Sequence, residues 1–304
     1  MKIDLPVGRY VVAVSGGVDS IVLLDLLVKQ HKQSHKDATS QFTVAHFDHG
    51  IRPDSAKDRQ LVEKLANMYG ISFVYDRAEL GAGASEATAR NARYAFLTKV
   101  KKAVGADAIL TAHHEDDVLE TIIINWLRGT KSRGLSSLRS NQLVQRPLLG
   151  MTKKQIRAYA HSQNLEWRED STNQDETYLR NYIRKHIVSK LDARARGRLL
   201  EHSAIAAKLN DAIGLLMSEY LEKHTTPTAI DRLKYRELPK EVAREVLAEW
   251  IRRNAKVGIS TKLILRLDVA IRTGRNGSTV DIAKGETLHI EKTRVSLQGY
   301  ATKS

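Results

Sequence analysis

The stretch Ser15-Gly16-Gly17-Val18-Asp19-Ser20 has the residue types and spacing of a phosphate cradle. It lies between an apolar run, Tyr10–Val14, and the apolar stretch Ile21–Lys29, which predicts a turn joining a strand to the start of a helix. Backbone N–H groups at such a start lack helical partners and the helix end is positive, so an oxyanion is favoured there. Gly16 and Gly17 let the backbone approach closely and adopt positive φ, while Ser15 and Ser20 add hydroxyl donors. Asp19 is out of place beside an anion unless it orients the loop or shares a Mg²⁺ with the phosphates. That makes it both a candidate catalytic residue and the candidate metal ligand. A Walker loop ends in Gly-Lys-Ser/Thr, and no lysine follows Gly17. The plain alternative is a glycine turn in which Ser20 or Asp19 caps the helix.

Other clusters carry acid–base chemistry. His113 and Asp117 are four residues apart at a predicted helix start, so they share a face, with Asp116 and Glu120 as neighbours. A carboxylate there can dock an ammonium and take its proton; three carboxylates that merely favour a helix N-terminus are the alternative. The His/His/Asp/Asp cluster here also resembles a metal site, but mixed hard ligands without cysteine argue against structural zinc. His46 and His49 flank the end of the predicted strand Phe42–Phe47, as direct ligands or as hydrogen-bonded core histidines. Arg90 and Arg93 are three apart on one helix and suit phosphate, Arg93 having an ion pair within the fold as its alternative. Arg128 opens a Gly- and Ser-rich basic stretch. Arg180 and Arg184, at i and i+4, suit nucleic-acid phosphate or a solvated face. Trp167 could stack on a base or belong to the core.

The elements that must position these residues alternate. Strands are expected at Tyr10–Val14, Phe42–Phe47, Ile71–Tyr75 and Ala108–Ala112. Helices are expected at Ile21–Lys29, after Pro53, at Glu86–Val104 and at Glu115–Leu127. Such alternation predicts an α/β fold, a doubly wound parallel sheet with ligands at the carboxyl ends of its strands. Each cluster above lies just after such a strand. Further helices are expected at Thr152–Gln163, Tyr178–Leu191, Arg198–Lys223, Lys240–Asn254 and Thr261–Arg272. A small β-meander is expected at Thr279–Ile282, Thr287–Ile290 and Arg294–Leu297. The predicted division is a catalytic domain over 1–195 and a smaller, mainly helical α+β domain over 196–304.

Charge is unevenly spread over the 304 residues, which sum to +14. Residues 128–200 hold 16 Lys and Arg against 6 Asp and Glu, a net +10, and residues 251–304 hold 11 against 4. Concentrated positive charge draws polyanions through counterion release, so nucleic acid is the expected partner. Lys262, Arg266, Arg272 and Arg275 are candidates to grip its backbone. There is no cysteine, which excludes disulfides and thiolate chemistry and fits a reducing cytoplasm. No apolar run of membrane-spanning length and no signal-peptide order is present, so a membrane is not an expected partner.

The hexapeptide resembles the pyrophosphatase loop of the N-type ATP pyrophosphatases, which cleave ATP between the α and β phosphates and form an adenylated intermediate. Several further stretches, taken in order, narrow that resemblance. They are His46-Phe47-Asp48-His49-Gly50-Ile51-Arg52, the run Glu86–Phe96, Thr111–Thr121, Leu127-Arg128-Gly129-Thr130, Arg146-Pro147-Leu148-Leu149, Asp170-Ser171-Thr172-Asn173 and Arg180-Asn181-Tyr182-Ile183-Arg184. Together, over about residues 10–195, they are similar to the tRNA(Ile)-lysidine synthase family. Val118 departs from the family's common Gln, and Asp48 stands where Asn or another residue is usual.

That resemblance implies an ATP-dependent ligase using ATP and Mg²⁺. Its partners would be tRNA(Ile) with a CAU anticodon and free L-lysine. The C2 oxygen of the wobble cytidine is adenylated, and lysine displaces AMP to give lysidine. By resemblance Asp19, Arg90, His113 and Asp117 are catalytic. Ser15, Gly16, Gly17, Val18, Asp19, Ser20, His46 and His49 bind ATP, and Arg128, Arg180 and Arg184 bind tRNA. It also implies a short form of the substrate-binding domain, without the extra terminal domain of longer members. The oligomeric state stays open, a homodimer included. Rival expectations are another PP-loop tRNA-modifying enzyme, of which the thiolases usually need cysteine, and a non-catalytic ATP-dependent RNA-binding protein.

Overall fold

The computed structural model describes residues 2–33, 38–50, 54–81, 85–130, 132–136, 138–169, 175–255, 257–283 and 285–299. Ile51-Arg52 and Asp170–Asn173 of the sequence motifs lie outside the described residues. The chain forms two compact units, Met1–Ala207 and Lys208–Ser304, which part further along one long helix than residue 195.

In the first unit, strands β1 (Tyr10–Ala13), β2 (Phe42–Asp48), β3 (Ser72–Arg77), β4 (Ala108–Leu110) and β5 (Val144–Gln145) form one sheet in the order β3-β2-β1-β4-β5. Every pairing in it is parallel. Register explains why the strands read as unbroken apolar runs. Val12, Val44 and Leu110 point into one core and Val11, Ala45 and Ile109 into another, so both faces are covered. The first face is covered by α1 (Val18–Gln33), α3 (Ser55–Tyr69) and α7 (Lys153–Ser162), the second by α4 (Glu86–Ala103). A short α2 (Ala38–Gln41) precedes β2.

Helix α1 is buried almost all round, Ile21, Val22, Leu23 and Leu24 being at most 2% exposed. Its interior carboxylate, Asp25, accepts the Tyr69 hydroxyl of α3 at 2.7 Å and the Tyr159 hydroxyl of α7 at 2.7 Å, with Lys29 at 3.0 Å. Beside the sheet, α5 (Glu115–Leu127), the short α6 (Ser132–Leu135), α8 (Leu179–His186) and the start of α9 (Ala193–His224) form a separate helical group. Leu119, Ile123, Ile183 and Val188 make its core. The helix expected over Tyr178–Leu191 is α8 followed by a 3-10 turn at Val188–Lys190.

The second unit pairs β6 (Thr225–Thr226), β7 (Ala229–Asp231), β8 (Ser278–Ala283), β9 (Glu286–Ile290) and β10 (Arg294–Gln298) as an antiparallel sheet ordered β6-β7-β10-β9-β8. It packs with α10 (Arg232–Glu237), α11 (Lys240–Asn254) and α12 (Thr261–Thr273). The meander was legible in the sequence; β6 and β7 are too short to leave a pattern. Buried Asp268 accepts Tyr235, Arg244 and Arg272 at 2.8–2.9 Å. Arg272, a candidate phosphate grip, is thus held inside its own domain.

Candidate active site

The sheet order reverses direction at β1 and β4, and a crevice opens beyond the carboxyl ends of strands at such a point. A cavity of about 420 Å³ lies there, lined by Ser15, Asp19, His46, His49, Arg93 and His113 among others. The size suits a nucleotide.

The phosphate loop is built as its sequence dictates. Gly16 has φ +94°, a conformation that favours glycine, and a Cβ there would sit a tight 3.3 Å from Cβ of Asp58. The Ser20 hydroxyl donates to the Gly17 carbonyl at 2.8 Å and accepts the Ser15 N–H at 3.1 Å. Ser20 therefore staples the loop shut, whereas Ser15 is exposed. Val18 begins α1 and is packed in the core. The Gly16 carbonyl accepts the Arg168 N–H at 3.0 Å, and Arg168 Nε reaches Asp58 at 2.6 Å. Arg168 ties the loop to Asp58 of α3, a role that no spacing in the sequence announced.

Asp19 sits in the first turn of α1 with its carboxylate directed at Lys153, whose ammonium donates to both oxygens at 2.7 Å. Lys153 begins α7 behind a Thr152–Gln155 capping box. It too was missed; a basic residue right after a helix cap was the available signal. Among the described residues, no three His or acidic side chains gather as a ready cation site. At the phosphate loop Asp19 supplies a hard oxygen donor, which fits Mg²⁺ because that ion is commonly held by one or two carboxylates together with substrate phosphates.

His46 is buried, and its Nδ1 donates to the Val14 carbonyl at 2.8 Å. Burial pulls its pKa below the ordinary histidine value. His49 stands edge-on to Phe47 at the cavity wall. Arg90 and Arg93 both approach the ring of Tyr94, at 4.9 and 5.5 Å from its centroid. Of the two, Arg93 lines the cavity. Trp167 packs against the core and donates to Glu169 at 3.1 Å.

The start of α5 supplies the second group. His113 Nδ1 lies 2.8 Å from the Thr111 hydroxyl. Burial, reinforced by Arg146, Arg93 and Arg90, holds His113 far below the usual histidine pKa against the pull of Asp117, so the ring is neutral at pH 7. Asp117 Oδ2 accepts the His114 N–H at 2.9 Å. Burial opposes its ionisation; His114, His113, the His114 N–H and Arg180 outweigh that and keep the carboxyl below its ordinary range.

Below Asp117, the fully buried Glu120 receives Arg180 Nε at 2.9 Å and Arg184 Nε at 2.6 Å. Both guanidinium groups also stand 3.8–3.9 Å from Asp117. Arg180 and Arg184 are thus committed to the floor of the site. Glu115 and Asp116 pair with Arg196 of α9. Arg128 is exposed at the far end of α5, about 16 Å from Asp117 at 1.5 Å per residue.

The two groups meet at His114. Its Nε2 is 3.7 Å from Asp19 and 3.6 Å from Asp117. The arrangement can hold polyphosphate at one end, and dock and deprotonate a cation at the other.

Residues 3–191 match the family model described as a PP-loop domain, named for ATP binding. The tRNA(Ile)-lysidine synthase of Thermus thermophilus is 36% identical over 305 residues, covering 94% of this chain and 57% of that protein. This chain therefore spans less than two thirds of that relative. The tRNA(Ile)-lysidine synthase of Thermosynechococcus vestitus is 31% identical over 301 residues, covering 94% of this chain and 85% of that protein. Among solved structures, a U34-tRNA thiolase of Methanococcus maripaludis with its [4Fe-4S] cluster superposes with a TM-score of 0.54 at 18% identity. That match covers 66% of this chain and 72% of the thiolase, and it supports the fold.

Proposed function

From the premise that this chain belongs to the tRNA(Ile)-lysidine synthase family of PP-loop proteins, we propose that it ligates free L-lysine to C2 of the wobble cytidine of tRNA(Ile) bearing a CAU anticodon. Residues 1–195 carry the chemistry, and 196–304 serve tRNA binding. ATP is the co-substrate, held at the loop Ser15–Ser20, and the enzyme works in the cytoplasm. The observation that carries this reading is the meeting of the phosphate loop with the α5 carboxylate: His114 Nε2 lies 3.7 Å from Asp19 and 3.6 Å from Asp117. Two half-reactions, one on phosphate and one on an amine, need such adjacency.

In the first half-reaction the cytidine C2 oxygen bonds to the α-phosphorus of ATP and pyrophosphate leaves. Charge builds on the leaving group, and the loop N–H groups and Arg93 would offset it. Mg²⁺, when bound at Asp19, would neutralise phosphate charge. In the second, the side-chain amine of lysine attacks C2 and AMP departs with the oxygen. That amine has an ordinary pKa of about 10.4, so it arrives as ammonium and must lose a proton. Asp117, ionised and flanked by the neutral His113, docks the ammonium and accepts the proton. Arg90 and Arg93 address the adenylated base from α4.

The test incubates the protein with a tRNA(Ile) CAU transcript, Mg²⁺-ATP and labelled lysine. Label entering that tRNA with release of AMP and pyrophosphate supports the proposal. No transfer, or equal transfer to tRNA(Met) with the same anticodon, refutes the activity or its specificity.

A further inference from the structure

His114 caps α5 in extended backbone, φ −125° and ψ −177°, and is 4% exposed. Its neighbours form one polar chain through the first unit. Lys153 holds Asp19 at 2.7 Å, Asp19 faces His114 Nε2 at 3.7 Å, His114 Nε2 faces Asp117 at 3.6 Å, and Asp117 faces Arg184 at 3.8 Å. Both distances at the imidazole are of ion-pair length and too long for a hydrogen bond. A single N–H therefore stands between two carboxylates and satisfies neither fully. A swing of under about 1 Å would give either of them the bond, at the expense of the other.

We infer that His114 is a positioning residue through which occupancy of the phosphate loop at Asp19 is coupled to occupancy of the amine-docking carboxylate Asp117. This rests on the proposed role of Asp117 in receiving lysine. When a nucleotide and its cation engage Asp19, that carboxylate no longer competes for the ring, and Nε2 turns to Asp117. The oxygen it meets, Oδ2, already accepts the His114 backbone N–H at 2.9 Å, so the same residue grips Oδ2 twice. The carboxylate plane is then fixed, and Oδ1, on the side of Arg180 and Arg184, is presented in one orientation. Nucleotide thus strengthens lysine binding, and by linkage lysine strengthens nucleotide binding by the same factor. An equilibrium shared between two partners is the bistable element that coupling requires.

Calorimetric titration of L-lysine with and without Mg²⁺ and α,β-methylene-ATP tests this. The wild-type protein is expected to bind lysine about tenfold more tightly with the nucleotide, within the 5–150-fold span common for coupled sites. His114→Asn keeps a favoured N-cap residue, so the helix start survives, but its amide N–H₂ is too short to reach the position of Nε2. Its coupling should fall below about twofold while its affinity for nucleotide alone stays within about threefold. His114→Gln, which returns an N–H at similar reach, should recover part of the coupling. Equal lysine affinity with and without nucleotide in the wild-type protein, or full coupling in His114→Asn, overturns the inference alone. Absence of lysine binding to the wild-type protein under every condition overturns the proposed role of Asp117 as well.

Discussion

The ammonium of Lys153 lies 2.7 Å from each carboxylate oxygen of Asp19. The two residues are 134 positions apart in sequence, one in the first turn of α1 and the other in the first turn of α7. An acidic residue in a phosphate loop is tolerable because this cation cancels it. Lys153→Met should expose phosphate to an uncompensated carboxylate and weaken ATP binding about tenfold or more, as expected for a lost charge-assisted pair of 1.5–3 kcal/mol. Lys153→Arg should stay within about threefold of wild type. Titration of a fluorescent ATP analogue at fixed Mg²⁺ measures both, and an unaltered affinity in the Met variant refutes the assignment.

Glu120 is 0% exposed and balances Arg180 and Arg184 together. Removing it takes the near partner from two partly buried cations, whose other carboxylate, Asp117, is 3.8–3.9 Å away, so Glu120→Ala should destabilise the first unit by about 3 kcal/mol. Denaturant unfolding gives the value. A loss below about 1 kcal/mol would mean that water replaces the carboxylate freely.

Acid should loosen the fold through its histidines. His113 and His46 are both held neutral by burial, below the value of about 6.5 that they regain when unfolded. The unfolded chain therefore binds more protons. The stability that these two contribute is complete above pH 6.5 and declines as pH falls beneath it, by at most about 1.4 kcal/mol per pH unit for each group. Thermal unfolding at pH 5 and pH 7.5 should show a smaller difference in His113→Asn than in wild type. An identical difference would place the acid sensitivity elsewhere.

Arg128 and Arg180 should behave differently although both are basic residues of the +10 block. Arg128 is exposed, so Arg128→Ala should weaken tRNA binding and reduce the slope of log affinity against log salt by about one. Arg180→Ala should mainly lower stability, since its guanidinium belongs to Glu120. Filter binding between 50 and 200 mM salt distinguishes them; equal slopes for Arg128→Ala and wild type would remove Arg128 from the interface.

Much of the fold was legible because its signals are local. Val11 and Val12, buried on opposite faces of β1, make the unbroken apolar run of a doubly covered strand. Gly16 marks the one turn where a Cβ would meet Asp58. Lys153, Arg168 and His114 were not legible, because their importance lies in partners over 90 residues away. The same long-range pairing changes the meaning of Arg180 and Arg184. Their spacing suggests a surface for nucleic acid, whereas Glu120, on another helix, draws them inward.

Asp25, two turns along α1 from the loop, is fastened to Tyr69 and Tyr159. Rotation of α1 about its axis would carry Asp19 and Ser20 with it, and that rotation is blocked from two other helices. The ordering cost of the loop is therefore met when the chain folds, before any nucleotide arrives. Binding should then proceed with a small entropic penalty, and damage at Asp25 should surface as weaker ATP affinity from a residue that never touches the nucleotide.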